Sequence, residues 1–108
     1  MNTPMILMML TGTFLLSAPA LAEIEETSSM VPKNLHIYDV QGSTFVDLPA
    51  HGCSGARYYL DPNHPKYDAI LSILLSAQLA GEKVVVRFDG CINNNTQGRI
   101  VGVYLKSS

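Results

Sequence analysis

Past residue 34 the chain alternates between apolar and polar positions, and each break in the alternation falls on turn-forming residues. Leu35-His36-Ile37-Tyr38-Asp39-Val40 alternates imperfectly and stops at Gln41-Gly42-Ser43, after which Thr44-Phe45-Val46-Asp47-Leu48 resumes. Two period-two segments around such a cluster predict a hairpin. Pro49 and Gly52 end it. Ala56-Arg57-Tyr58-Tyr59-Leu60 predicts a third short strand, because aromatic side chains suit a pleated, half-buried surface. Val84-Val85-Val86-Arg87-Phe88 and Ile100–Leu105 predict two more, apolar on both faces for part of their length as central strands are. Gly102 marks a bend or bulge in the last.

Between the third and fourth strands the period changes from two to the helical spacing. Asp61-Pro62-Asn63-His64-Pro65 is a stop followed by a helix start: Asn63 or His64 can cap, and Pro65 suits a first turn that needs no N–H. Asp68 then lies near the positive end of the helix dipole. The helix should reach Ala80 and end at Gly81, which accepts the left-handed position without a Cβ penalty. Tyr67, Ile70, Leu71, Leu74 and Ala77 form one core-facing stripe. Ile73, Leu75, Leu79 and Ala80 lie off it, with only Asp68, Ser72, Ser76 and Gln78 polar. This excess has two explanations, a helix sunk deeply into a small barrel or a second buried face in an oligomer.

The element order β-β-β-α-β-β predicts a mainly β protein with one helix, a small five-stranded barrel of OB-fold type. A split α+β sheet with the helix on one face is the alternative that periodicity leaves open. The domain should span residues 34–106. Residues 23–33 are polar, acidic and proline-containing, and predict a flexible arm. Residues 1–22 have the layout of a secretory signal peptide, with an apolar core around Met5–Leu10 and Phe14–Leu16 and small residues flanking Leu21. The apolar run is short and interrupted by Thr11-Gly12-Thr13 for a membrane span, so a secreted or periplasmic location follows, with no transmembrane segment in the mature chain.

Cleavage after Ala22 of the 108-residue chain leaves 86 residues, one small domain, which keeps the whole net charge of −2. Without a basic surplus to neutralise phosphates, nucleic acid is not an expected partner. The two cysteines, Cys53 and Cys91, predict one disulfide in an exported domain; a catalytic thiol or metal ligation is the alternative. Closing that loop is worth about 3–4 kcal/mol on the chain-entropy model.

The candidate chemistry is sparse. Gly52-Cys53-Ser54-Gly55 beside His51 fails the nucleophile-elbow pattern, because Ala56 stands where a second glycine is needed. His36, His51 and His64 have no metal-ligand spacing, and no cofactor is expected. The run Asn93-Asn94-Asn95-Thr96-Gln97 has two readings. Asn tolerates left-handed backbone angles, so the run serves as a turn between strands. Neutral amides beside Tyr and Arg side chains are also what a sugar site uses, since they donate and accept hydrogen bonds without strong charge. Asn93, Asn94, Asn95, Gln97 and Tyr58 are the candidate ligand contacts.

The stretch Tyr67–Ile70, Gln78-Leu79-Ala80-Gly81-Glu82-Lys83-Val84-Val85-Val86-Arg87, Cys91 and Ile100–Leu105 resembles the C-terminal half of the B subunit of subtilase cytotoxin and related small exported bacterial proteins. The resemblance covers about half of the mature chain and implies an OB-fold and, for the toxin member, a ring of five subunits that binds cell-surface glycans. No site residue carries over, because the first half of the chain shows no comparable pattern. The expected function is a non-enzymatic binding module, glycan-binding and ring-forming if the resemblance holds. The alternative is a small envelope protein that binds or inhibits another protein through a barrel edge or Tyr58-Tyr59. Alkylation of the exported protein should label neither cysteine without reductant and both with it; two free thiols without reductant would remove the disulfide.

Overall fold

The computed structural model describes residues 23–107; the expected signal peptide, residues 1–22, lies outside them. Six strands and one helix follow in order: β1 (Ile24–Glu26), β2 (Lys33–Ile37), β3 (Thr44–Asp47), β4 (Arg57–Leu60), α1 (Tyr67–Ala80), β5 (Val84–Ile92) and β6 (Gln97–Leu105). They form one sheet in the order β1-β5-β6-β4-β3-β2. All neighbours are antiparallel except β4 and β6, which run parallel across the connection that contains α1.

The mainly β class with one helix is as expected, but the sheet has six strands, not five, and is not closed into a barrel. The sixth strand comes from the acidic segment 23–33. Ile24, Glu25 and Glu26 pair with Asp89, Phe88 and Arg87, so β1 occupies the outer edge of β5. The pairing continues beyond the strand: the Thr27 amide donates to Val86 at 3.0 Å, and the Val86 amide donates to Thr27 Oγ1 at 3.1 Å. Met30 and Val84 then exchange both backbone bonds. Thr27 is buried. An acidic composition describes the side chains, several of which stay in water, whereas this attachment is made by the backbone. Glu26 adds a contact with Arg87 at 3.5 Å and accepts the Tyr104 hydroxyl at 3.0 Å.

The helix ends where expected, at Gly81 with φ 70°, but starts later than expected, at Tyr67. The N-cap is Lys66, not Asn63 or His64, and no side chain caps the first turn. The His64 ring instead fixes the approach to the helix, with Lys66 N–H donating to His64 Nδ1 at 2.9 Å and His64 Nε2 3.0 Å from the Val101 carbonyl. The neutral ring with its proton on Nε2 satisfies both partners. Pro65 therefore precedes the helix instead of entering it. Ile70, Leu74 and Ala77 are buried against the sheet, with Tyr67, Leu71 and Ile73 packed around them. Leu75 and Leu79 stay at the surface, Leu79 at 77% exposure.

Val46, Leu48, Tyr58, Leu60, Val86, Phe88 and Ile100 make up the sheet's half of the core. The Tyr58 ring packs directly against Gly98, its partner across the parallel β4–β6 junction. Its ring meets Phe88 edge to face at 5.2 Å, and its hydroxyl donates to the Pro49 carbonyl at 2.7 Å. The Cys53–Cys91 disulfide closes beside this junction, tying the segment before β4 to β5. A Cβ at Gly98 would stand 2.6 Å from the Tyr58 ring and 3.0 Å from Phe88. Gly98→Ala should therefore destabilise the fold by about 1–3 kcal/mol through overpacking, read as a lower urea midpoint at unchanged slope.

Candidate functional site

Side chains alternate across a strand, so the face opposite the core is set by the same pleat. In β3, Thr44 and Val46 point inward while Phe45 and Asp47 point out; in β4, Tyr58 and Leu60 point inward while Arg57 and Tyr59 point out. The register aligns these outer residues in rows. His36 pairs with Phe45, Phe45 with Tyr59, and Tyr59 with Arg99. One step along, Asp47 pairs with Arg57 and Arg57 with Gln97.

The first row is aromatic. Ring centroids lie 5.6 Å apart for His36 and Phe45 and 5.4 Å for Phe45 and Tyr59, and Tyr38 stands edge-on to Phe45 at 6.2 Å. His36, Tyr38, Phe45, Arg57, Asn93 and Gln97 enclose a cleft of about 300 Å³ at one end of this row. Burial, and after it the negative charge of Asp61, push the Tyr59 phenol above its ordinary value. The phenol is thus held neutral, as a hydrogen-bonding group.

The second row carries charge in a closed form. Arg57 Nε donates to Asp47 Oδ1 at 2.9 Å and Arg57 Nη2 to Oδ2 at 3.4 Å. Asn34 Nδ2 donates to Oδ2 from the other side at 2.9 Å. Partial burial acts to raise the Asp47 carboxyl, but the hydrogen bonds from Arg57 and Asn34 and the Arg57 charge outweigh it and hold it below 3.8.

The amide run is a turn, and one end of it reaches the cleft. Asn93, Asn94 and Asn95 take φ of 54°, 59° and 66°, three successive left-handed residues that Asn tolerates better than most. Thr96 N–H closes the turn on the Ile92 carbonyl at 3.1 Å. The segment after Cys53 holds it from the side: Ser54 N–H donates to Asn95 O at 2.9 Å, Gly55 N–H to Thr96 O at 3.1 Å, and Ser54 Oγ to Asn95 O at 3.2 Å. A Cβ at Gly55 would come within 2.5 Å of the Thr96 oxygen, so this close approach requires glycine.

Of the expected contacts, Asn93 and Gln97 line the cleft. Asn94 and Asn95 are exposed on the turn and do not line it. Tyr58 points into the core with no exposure and does not join the site, because the pleat gives the outward position to Tyr59. His36, Tyr38 and Phe45 were not among the candidates, and Tyr59 was one only as half of a Tyr58-Tyr59 protein contact, which the burial of Tyr58 rules out as a pair. Their signal was an aromatic at every second outward position of neighbouring strands, visible only once the register is known. The Gly52–Gly55 segment brings Cys53 to Cys91, and His51 Nε2 lies 3.5 Å from Glu25 Oε1. No helix among the described residues is long and apolar enough to cross a membrane. No family model, curated protein or solved structure matches the chain.

A carboxyl depressed on folding contributes stability above its unfolded pKa and loses it as pH falls through the folded one. Asp47→Asn should therefore melt slightly lower than the wild type at about pH 6, by about 1 kcal/mol or less. The difference should vanish as the pH drops below 3.8. Thermal melts across that range check it.

Proposed function

We propose that the protein is a secreted or periplasmic, non-enzymatic binding module whose aromatic cleft takes a carbohydrate. The observation that carries this reading is the row His36–Phe45–Tyr59, with Tyr38 at its end and Arg57, Asn93 and Gln97 at the rim. A sugar ring has an apolar C–H face that packs on aromatic rings and a periphery of hydroxyls that both donate and accept. Amides match that periphery. A shallow, mostly preformed site with few polar groups around an apolar floor suits such a ligand.

The strand order supports an OB-type reading. Leaving β1 aside, the strands lie in the order first, second, third, fifth, fourth, and the third and fifth are parallel. In that architecture the face of the second and third strands, with the first and last hairpin connections, is where oligosaccharides and oligonucleotides bind. The cleft here combines Phe45 and Arg57 with Tyr38 and Asn93 from those two connections. The net charge of −2 weighs against an oligonucleotide. Association into a ring would cover Leu75, Leu79 and Ile37, which are exposed. The second reading, a contact with another envelope protein, draws on the β2–β3 connection, where Tyr38 and Val40 are 74% and 97% exposed.

Phe45→Ala and Tyr59→Ala should each weaken capture of the glycan found by a multivalent array by about three- to tenfold, the weight of one aromatic contact. Circular dichroism should stay unchanged. An array without hits, or variants that bind as the wild type does, would remove the carbohydrate reading. A pull-down dominated by one envelope protein and lost with Tyr38→Ala would put the second reading in its place.

A further inference from the structure

Every guanidinium of the sheet is set against a carboxylate, so none presents an uncompensated positive charge. Each of the three arginines of the chain lies against a carboxylate: Arg57 against Asp47 at 2.9 Å, Arg99 against Asp89 at 3.1 Å, and Arg87 against Glu26 at 3.5 Å. Arg57 alone lines the cleft, and no lysine does. Its partner is the most firmly held of the three. Asp47 sits directly opposite Arg57 in the β3–β4 register and receives two bonds from it. The third bond comes from Asn34, which takes φ of 56° where the β2–β3 register shifts between Lys33 and His36. A carboxylate anchored from two strands cannot turn away to free Arg57 without losing bonds on both sides.

The remaining groups also suit a neutral ligand. His36 Nδ1 lies 2.6 Å from the Asn34 carbonyl, which can only accept, so this nitrogen carries a proton and the neutral ring leaves Nε2 as an acceptor. Asn93 and Gln97 each offer a donor and an acceptor. The carboxylates of Asp61 and Asp39 act on Tyr59, so their negative field reaches the aromatic row. An incoming anion would meet a guanidinium already paired with Asp47 and the two further carboxylates, Asp61 and Asp39.

We propose that the cleft selects neutral sugar rings over their carboxylate-bearing counterparts, and that Asp47 is the specificity-determining residue because it neutralises Arg57. This rests on the carbohydrate reading above. It gives Asp47 a role that folding alone does not demand, since an exposed ion pair of this kind adds little stability.

The test compares matched probes that differ at one carbon: methyl glucoside against methyl glucuronide, and methyl galactoside against methyl galacturonide, each displayed multivalently. The wild type should favour the neutral member of whichever pair binds by about tenfold or more. Asp47→Asn should raise uronide binding by about tenfold while moving the neutral member by less than about threefold, and added salt should erode the gain. Arg57→Gln should give no such gain, and Asp47→Asn combined with Arg57→Gln should lose it. A wild type that prefers the uronide, or an unchanged ratio in Asp47→Asn, would overturn the inference and leave the carbohydrate reading standing. Binding to neither pair would overturn both. The wild-type ratio decides the matter even if a variant does not fold.

Discussion

The parallel junction between β4 and β6 is the constraint on which the rest of this molecule depends. It joins two antiparallel units, β2–β3–β4 on one side and β1–β5–β6 on the other, into a single sheet. The joint is tight because Gly98 offers no side chain and Tyr58 fills the space, its ring closed in by Phe88 and its hydroxyl given to Pro49. Parallel pairing needs a long crossover, and the segment holding α1 supplies it. The same crossover lays Ile70, Leu74 and Ala77 over the inner face. The Cys53–Cys91 bond and the Ser54 and Gly55 amide bonds fasten the near end of the joint.

The candidate site is a by-product of that joint on its other side. Because Tyr58 faces in, Arg57 and Tyr59 must face out; because Gly98 faces in, Gln97 and Arg99 must face out. The junction thus places Arg57 beside Gln97 and Tyr59 beside Arg99. The asparagine turn enters the cleft for a related reason. It is the continuation of β5 past Cys91, and the disulfide keeps that continuation near the start of β4. Core packing and the shape of the cleft here are two faces of one register.

The two edges of the open sheet are guarded differently. β1 has only three residues and displays Glu25 and Glu26, while β2 carries Lys33 and a register shift at Asn34. Short length, charge and irregularity all hinder strand addition by another chain. On β2 the irregularity has a second consequence, since the Asn34 amide it redirects holds Asp47 in place.

Much of the fold was legible in the sequence. The alternation of Thr44–Leu48, the apolar run Val84–Phe88 and the stop at Gly81 depend on neighbours in the chain, so local pattern located β3, β5 and the end of α1. The paired cysteines likewise indicated the bond that the structure contains. Attachment and sidedness, by contrast, were set by contacts between elements far apart in the chain. Ile24–Glu26 became a strand because β5 offered an unpaired edge, and backbone pairing leaves no mark in an acidic composition. That attachment also fixed an open six-stranded sheet where five strands and closure were expected. The pleat requires Tyr58 and Tyr59 to point apart, but which of them enters the core depends on Gly98, thirty-nine residues beyond Tyr59. The choice of Tyr59 over Tyr58 as the outward aromatic, and with it the aromatic row beside the cleft, belongs to contacts between distant strands.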